Sequence, residues 1–70
     1  MAEVKAPMPG IICEIKVKPG DTIIEEQEIL TLEAMKMEMP IAATAAGMIK
    51  VVHCKKGDAV QGGDTLVEIE

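Results

Sequence analysis

Residues 10–33 read GIICEIKVKPGDTIIEEQEILTLE, and residues 47–70 read GMIKVVHCKKGDAVQGGDTLVEIE. The second stretch repeats the first with a shift of 37 positions, which places Gly10 on Gly47 and the pair Gly20-Asp21 on the pair Gly57-Asp58. The apolar positions between these identities also coincide. Because a unit of this length is too short to enclose a core alone, we expect the two halves to pack face to face about a quasi-twofold axis.

Each half has the pattern of short strands joined by tight turns. Apolar and polar side chains alternate along residues 11–18 and 29–33, and again along residues 48–54 and 65–70, which is the period of half-buried strands. Glycine in each Gly-Asp pair supplies the positive φ that such turns need. The segment Glu25–Glu28 is too short to hold a helix and is interpreted as a charged turn.

The composition predicts an all-β chain with a thin aliphatic core. Of the 70 residues, nine are Ile, six Val and four Thr, and β-branched side chains favour strands. Phe, Tyr and Trp are absent, so the core must be aliphatic. We expect one domain over residues 1–70, folded as a flattened antiparallel β-barrel or sandwich of about eight short strands that protects its own strand edges.

The missing residue types and the charge exclude several functions. The chain has no Arg and a net charge of −5, which disfavours binding to nucleic acid. It has no Ser, so it has no serine nucleophile. No apolar run approaches the ~20 residues of a membrane span, and the first ten residues lack the pattern of a secretory signal.

The sulfur and imidazole groups do not form a metal-binding pattern. Cys13 and Cys54 lie far apart in the sequence, and His53 has no acidic residue or other ligand at metal-binding spacing. We expect His53 to be a solvated strand residue. The two cysteines are expected to be reduced thiols of a cytoplasmic protein, and a stapling disulfide between them is the alternative.

One segment has no counterpart in the repeat. Residue 33 matches residue 70, so the hairpin at residues 34–39, AMKMEM, has no equivalent after the second half. The quasi-twofold axis would place this hairpin where the other half has the chain ends, so we expect the two at opposite ends of the domain. An exposed tip at one end and a tether at the other is the geometry of a carrier.

The stretch Glu33-Ala34-Met35-Lys36-Met37 resembles the biotin-attachment motif of biotinyl domains, the biotin carboxyl carrier proteins of the biotinyl/lipoyl attachment family. The resemblance extends from residues 6–10 to Glu70 and includes both Gly-Asp turns. It implies a barrel-sandwich hybrid fold with Lys36 at the tip of an exposed turn. It also implies covalent biotin on Lys36, attached by a biotin-protein ligase that recognises Glu33, Ala34, Met35 and Met37.

Purely structural roles remain alternatives for the residues that flank Lys36. A structural role is the alternative for Glu33, since Glu70 holds the same repeat position without a lysine beside it. Met35 and Met37 could fill a core, but a tight turn has little core to offer, so we expect them to be exposed contacts for the ligase and for partner active sites. Glu38 is interpreted as a solvated charge.

The function implied by the resemblance is that of a non-catalytic carrier. Its biotin arm would move a carboxyl group between biotin carboxylase and carboxyltransferase or decarboxylase subunits, and tethering makes that delivery effectively intramolecular. Gly10 and Gly20 are as far apart as Gly47 and Gly57, so the first half lacks the inserted loop of the bacterial acetyl-CoA carboxylase carrier. The chain looks more like the carriers of pyruvate, propionyl-CoA or methylmalonyl-CoA enzymes, or a free-standing biotinyl protein.

Two other functions are alternatives. A lipoyl domain has a similar fold and carries its arm on a turn lysine, although such domains typically have Asp-Lys-Ala at the tip, whereas methionines flank Lys36 here. An unmodified barrel-sandwich module would act as an adaptor, and such modules often lack the turn lysine. An enzyme is disfavoured because no nucleophile–base pair is visible.

Overall fold

The computed structural model describes residues 2–70, and Met1 lies outside the described residues. Eight strands form two four-stranded sheets, in the orders β1-β8-β6-β3 and β5-β4-β2-β7, and all neighbouring strands are antiparallel. The predicted all-β fold is therefore confirmed. The strands are β1 Ala2–Lys5, β2 Gly10–Ile15, β3 Thr22–Ile23, β4 Glu28–Ala34, β5 Met37–Ala42, β6 Gly47–Val52, β7 Ala59–Val60 and β8 Thr65–Ile69.

The two sheets are built in the same way from opposite halves of the chain. The shift of 37 positions turns β2, β3 and β4 into β6, β7 and β8, and β5 takes the place in its sheet that β1 takes in the other. Each half also contributes a turn to its partner's sheet: the Gly20 N–H donates to Ile49 O at 2.9 Å, and the Gly57 N–H donates to Ile12 O at 2.8 Å. The halves are interlocked by these equivalent bonds, as a quasi-twofold arrangement requires.

The core lies between the two sheets and is wholly aliphatic. Among residues 2–70, no polar or charged residue is buried. Side chains alternate between the core and solvent along most of each strand. The alternation is broken at Ile29-Leu30 and Leu66-Val67, where consecutive side chains are both buried beside irregularities in the strand register. The most deeply buried residues are Val4, Ile12, Ile23, Ile29, Leu30, Leu32, Ile49, Leu66, Val67 and Ile69.

Four turns share one hydrogen-bonding design. In the turns at residues 18–21, 24–27, 55–58 and 61–64, the first N–H donates to the side chain of the fourth residue at 2.8 to 3.0 Å. The fourth N–H in turn donates to the first carbonyl. The third residue has positive φ, as in a type II turn: Gly20, Glu26, Gly57 and Gly63. The segment predicted as a charged turn, Glu25–Glu28, thus contains the turn, although Glu28 already belongs to β4. Glu26 adopts the left-handed conformation without being glycine.

The strands end earlier than the alternation predicts. β2 ends at Ile15 and β6 at Val52, whereas the alternation continues to Lys18 and Cys54. The reason is that the chain leaves its own sheet after these points in order to place the next turn beside the opposite sheet. His53 consequently follows β6, and its Nε2 lies 2.5 Å from Oε2 of Glu68. His53 is exposed, as expected, but it lies one residue beyond the strand and its ring contacts the Glu68 carboxylate.

The alternation of apolar and polar residues does not predict the first strand, β1. β1 pairs with β8, with Val4 opposite Val67, and Val4 is buried. A four-residue segment with one buried position gives too little periodicity to be recognised alone. Within residues 2–70, the structure has no helix long and apolar enough to cross a membrane.

Candidate functional site

The unrepeated segment forms a tight hairpin between β4 and β5. Ala34 pairs with Met37, which leaves Met35 and Lys36 as a two-residue turn. Met35 has φ 54° and Lys36 has φ 65°. Positive φ at both central positions is the signature of a type I′ turn, whose twist matches that of the flanking strands. Lys36 therefore lies at the apex of the hairpin.

A long strand ladder holds this turn in place. β4 and β5 remain paired from Glu28 and Ala42 up to the turn, and β4 is also paired with β2 on its other edge. The Ala34 side chain is buried directly below the turn, whereas the Glu33 side chain is exposed. The structure thus places Ala34 as a packing residue of the hairpin base and Glu33 on the solvent face.

The tip presents three exposed side chains in succession. Met35 is 87% exposed and Met37 is 69% exposed, and Lys36 is exposed between them. No hydrogen bond or ion pair within residues 2–70 engages the Lys36 amine. The amine of Lys36 is therefore accessible to the active site of a modifying enzyme.

Two carboxylates lie on the solvent face of the same hairpin. Glu33 and Glu38 are directly opposite each other on β4 and β5, and Ile11 of β2 is opposite Glu33. Like charges in this position destabilise an isolated pair of strands. Partial burial, then the charges of Glu38 and Glu33, raise the pKa of the Cys13 thiol. Glu38 is exposed, as expected of a solvated charge, but the cross-strand register that places it opposite Glu33 is not visible in the sequence.

A shallow, open groove of about 450 Å³ runs beside the turn. Its walls come from residues 9–11 and 59–61, and Met35 and Lys36 form part of its rim. Glu33 and Lys36 are the only ionisable residues of its lining. Across residues 2–70, no group of three His, Cys, Asp or Glu side chains is placed to hold a metal ion. The groove therefore offers a contact surface beside the amine.

Gly10 allows the close approach of β2 to the hairpin. A Cβ atom at Gly10 would lie 2.4 Å from the carbonyl oxygen of Glu33, and one at Gly47 would lie 2.4 Å from that of Glu70. The sequence repeat aligns these glycines and thus contained the signal, but the contact itself requires the tertiary structure. Gly10 is consequently a supporting residue of the tip.

Comparisons with known proteins agree with the geometry of the hairpin. The family model described as "Biotin-requiring enzyme" matches residues 2–69. The chain is 52% identical over 65 residues to the mitochondrial propionyl-CoA carboxylase alpha chain of Mus musculus, covering 93% of this chain and 9% of that protein. It is 47% identical over 62 residues to the biotin/lipoyl attachment protein of Bacillus subtilis, covering 89% of this chain and 85% of that protein.

The fold is also similar to a solved structure of the biotinyl/lipoyl type. The lipoyl domain of the 2-oxoglutarate dehydrogenase complex from Azotobacter vinelandii superimposes with a TM-score of 0.84 at 26% identity, covering 100% of this chain and 96% of that domain. The chain spans only a small part of the carboxylase subunit it matches but most of the Bacillus protein. On the family match and these relatives, the chain belongs to the biotin-requiring enzyme family, in which it is a biotinyl, or biotin carboxyl carrier, domain rather than a catalytic one.

Proposed function

We propose that Lys36 carries covalent biotin and that the domain moves a carboxyl group between the active sites of a biotin-dependent carboxylase, decarboxylase or transcarboxylase. The observation that carries this proposal is the type I′ turn of Met35 and Lys36, which holds an amine without a partner among residues 2–70 at the apex of the hairpin. Lysine suits the role because its amine is carried on a flexible four-carbon stem.

The residues at the tip fit a covalently attached biotin. The Lys36 amine is exposed, and no partner within residues 2–70 would have to be displaced before acylation. Amide formation removes the positive charge of Lys36, so the formal net charge would change from −5 to −6. When attached, the ureido ring of biotin supplies the nitrogen that carries the carboxyl group, and the chain's own residues supply position and reach.

The chain's contribution is to combine a fixed base with a mobile stem. The ladder of β2, β4 and β5 fixes the apex, while the lysine stem and the attached arm can turn toward a partner's active site. Tethering replaces diffusion by an effective concentration that depends on the length and stiffness of the connection. A rigid tip also lowers the conformational cost of docking, because little backbone has to be ordered on binding.

The partners proposed are a biotin-protein ligase, a biotin carboxylase and a carboxyltransferase or decarboxylase. The match to a propionyl-CoA carboxylase alpha chain supports the carboxylase partners. Glu33, Met35 and Met37 project from the same end as Lys36 and are proposed as ligase contacts. Ala34, being buried, would contribute to recognition by fixing the hairpin geometry.

Co-expression with a biotin-protein ligase tests the attachment. We expect intact-mass measurement to show one added biotin on the wild type and none on Lys36→Arg, which keeps the positive charge but cannot form the amide. Lys50→Arg is the matched control, because Lys50 is an exposed lysine like Lys36 but lies on β6, outside the hairpin, and this variant should gain one biotin. A wild-type chain that stays unmodified in the presence of active ligase would overturn the proposal.

Lipoyl attachment is the second candidate, and two observations favour it. The fold superimposes on a lipoyl domain, and the Bacillus subtilis relative is described as a biotin/lipoyl attachment protein. Parallel co-expression with a lipoyl ligase separates the candidates, since the added masses of biotin and lipoate differ. An unmodified chain in both experiments would favour the adaptor function instead.

We further propose that the domain works in the cytoplasm. Cys13 and Cys54 are both free in the structure, which suits a reducing compartment. Fractionation of the source cells with an antibody to the domain tests this placement, and recovery of the domain outside the cytoplasmic fraction would contradict it.

A further inference from the structure

The methionines within residues 2–70 differ sharply in exposure. Met35 and Met37 are 87% and 69% exposed, and Met48 is 44% exposed. Met8 and Met39 are partly buried and pack against the core. The two most accessible thioethers of the described chain are therefore the two that flank the proposed attachment lysine.

An exposed thioether reacts with a hydroperoxide by a balanced two-electron step. The sulfur lone pair attacks the outer peroxide oxygen, the O–O bond breaks, and the sulfur becomes a sulfoxide while hydrogen peroxide leaves as water. Such oxidation converts a flexible apolar side chain into a polar one and depends on access to the sulfur. Among the methionines of residues 2–70, access is greatest at Met35 and Met37, so these two should react before the other three.

The reaction would change the surface of the tip without changing the fold. Both side chains project from the hairpin into solvent and belong to no core cluster, so the added oxygen needs no space inside the protein. A partner that buries the thioethers would instead have to bury two polar S=O groups, which costs binding energy unless each finds a hydrogen-bond donor. Lys36 itself would be chemically unaltered.

We propose that Met35 and Met37 form a reversible oxidation site whose oxidation by hydroperoxides slows the acylation of Lys36. This inference rests on the proposed function, because it treats Lys36 as a ligase substrate. Methionine sulfoxide reductases, which act on the two sulfoxide epimers separately, reverse the change. The fraction of domain molecules that carry biotin on Lys36 would then depend on the oxidising state of the compartment.

The first experiment measures the order of oxidation. The unmodified domain is treated with limiting hydrogen peroxide and digested after lysine, which separates Met35 from Met37 because cleavage follows Lys36. Tandem mass spectrometry then gives the oxidised fraction at each methionine. Met35 and Met37 should oxidise several-fold faster than Met8 and Met39, and equal rates at all four would overturn the inference.

The second experiment measures the consequence for the ligase. We expect kcat/KM for biotinylation to fall roughly tenfold on oxidation, because the ligase would have to bury sulfoxide oxygens that lack hydrogen-bond donors. The value should recover after treatment with both reductases. The melting temperature should stay unchanged. Met35→Leu/Met37→Leu keeps apolar side chains that cannot be oxidised. The ratio of its biotinylation rates before and after peroxide should therefore be one, whatever its rate is relative to the wild type. Met39→Leu/Met48→Leu is the matched control and should stay peroxide-sensitive.

The outcomes separate the two proposals. Biotinylation of the oxidised wild type at the unoxidised rate would overturn the oxidation site and leave the carrier function intact. Failure of the unoxidised wild type to accept biotin would overturn the carrier function, and the oxidation inference with it.

Discussion

Glu26 is the residue whose conformation conflicts most plainly with its side chain. It is the third residue of the turn at 24–27 and has φ 71°, whereas Gly20, Gly57 and Gly63 occupy this position in the other three turns. Gly63 is its counterpart in the repeat. An L-residue with a side chain pays on the order of 1–2 kcal/mol for the left-handed conformation. The Gln27 side chain and the Glu26–Ala43 backbone hydrogen bond hold the turn despite this cost.

Replacing Glu26 by glycine should stabilise the domain. We expect Glu26→Gly to raise the free energy of unfolding by about 1 kcal/mol and the melting temperature by several degrees. Glu25→Gly is the control, because Glu25 is also exposed but has no positive φ, and it should be neutral or slightly destabilising. Thermal unfolding of both variants checks this, and a loss of stability in Glu26→Gly would contradict it.

Cys13 reports the electrostatics of the hairpin face. Partial burial raises its pKa, as do the charges of Glu38 and Glu33, and all three favour the neutral thiol. Only the thiolate is alkylated, so a raised pKa slows the reaction near pH 8. The pKa of Cys13 is higher in the folded protein than in the unfolded chain, so folding favours the protonated thiol. The stability that this preference contributes is present below the pKa of the unfolded chain and is lost as the pH rises past the pKa of the folded protein.

Removing the two charges should therefore accelerate alkylation of Cys13. In Glu33→Gln/Glu38→Gln, the pH profile of the iodoacetamide reaction at Cys13 should move to lower pH. Cys54 is an internal control, because burial and the charge of Asp58 raise its pKa, and its profile should stay in place. An unchanged profile at Cys13 would show that these carboxylates do not act on it.

At the scale of the element, the β4–β5 hairpin keeps an unfavourable turn sequence. Two-residue type I′ turns prefer Asn-Gly or Asp-Gly, whereas Met35-Lys36 stands here with both residues at positive φ. The strand pairing on both edges of β4 supplies the stability that holds the turn. The proposed function explains why lysine stands at the apex, because the amine of Lys36 forms a stable amide with biotin, which glycine or asparagine could not do.

The cost of the turn can be measured at Lys36 with two variants. Lys36→Gly should raise the free energy of unfolding by about 1 kcal/mol, because glycine adopts positive φ freely. Lys36→Ala lacks the amine as well but keeps a Cβ, so its stability should stay close to the wild type. Chemical denaturation compares them, and equal stabilities for the two variants would show that the left-handed conformation costs nothing there.

At the scale of the whole molecule, the quasi-twofold axis separates the functional end from the chain ends. The domain is elongated, with extents of 31 × 17 × 17 Å. β5 runs from the tip to the far end, where residues 43–46 lead into β6 and the Met48 N–H donates to the carbonyl of Glu70. Gly10 lies against Glu33 at the tip, and Gly47 lies against Glu70 at the other end.

This symmetry provides a matched pair of substitutions. Gly10→Ala and Gly47→Ala should each lower the free energy of unfolding by about 1–3 kcal/mol, because a Cβ would press on a backbone oxygen. Only Gly10→Ala should also slow biotinylation of the folded variant, since it displaces β4, the strand that leads into the turn of Lys36. Ligase kinetics below the melting temperature of both variants test this, and an equal slowing in Gly47→Ala would contradict it.

The repeat, the Gly-Asp turns, the aliphatic core and the unrepeated hairpin at residues 34–39 can all be inferred from the sequence, whereas the exposed position of Lys36 was implied by the family resemblance. The inferred features depend on residues close in the chain or on a self-comparison of the chain, so local chemistry and periodicity suffice. Only the tertiary structure decided the exchange of β3 and β7 between sheets, the strand β1, the His53–Glu68 contact, the opposition of Glu33 to Glu38 and the groove beside the tip. These features depend on register and on contacts between distant segments, which are fixed only when the two sheets close on each other and bury their apolar faces.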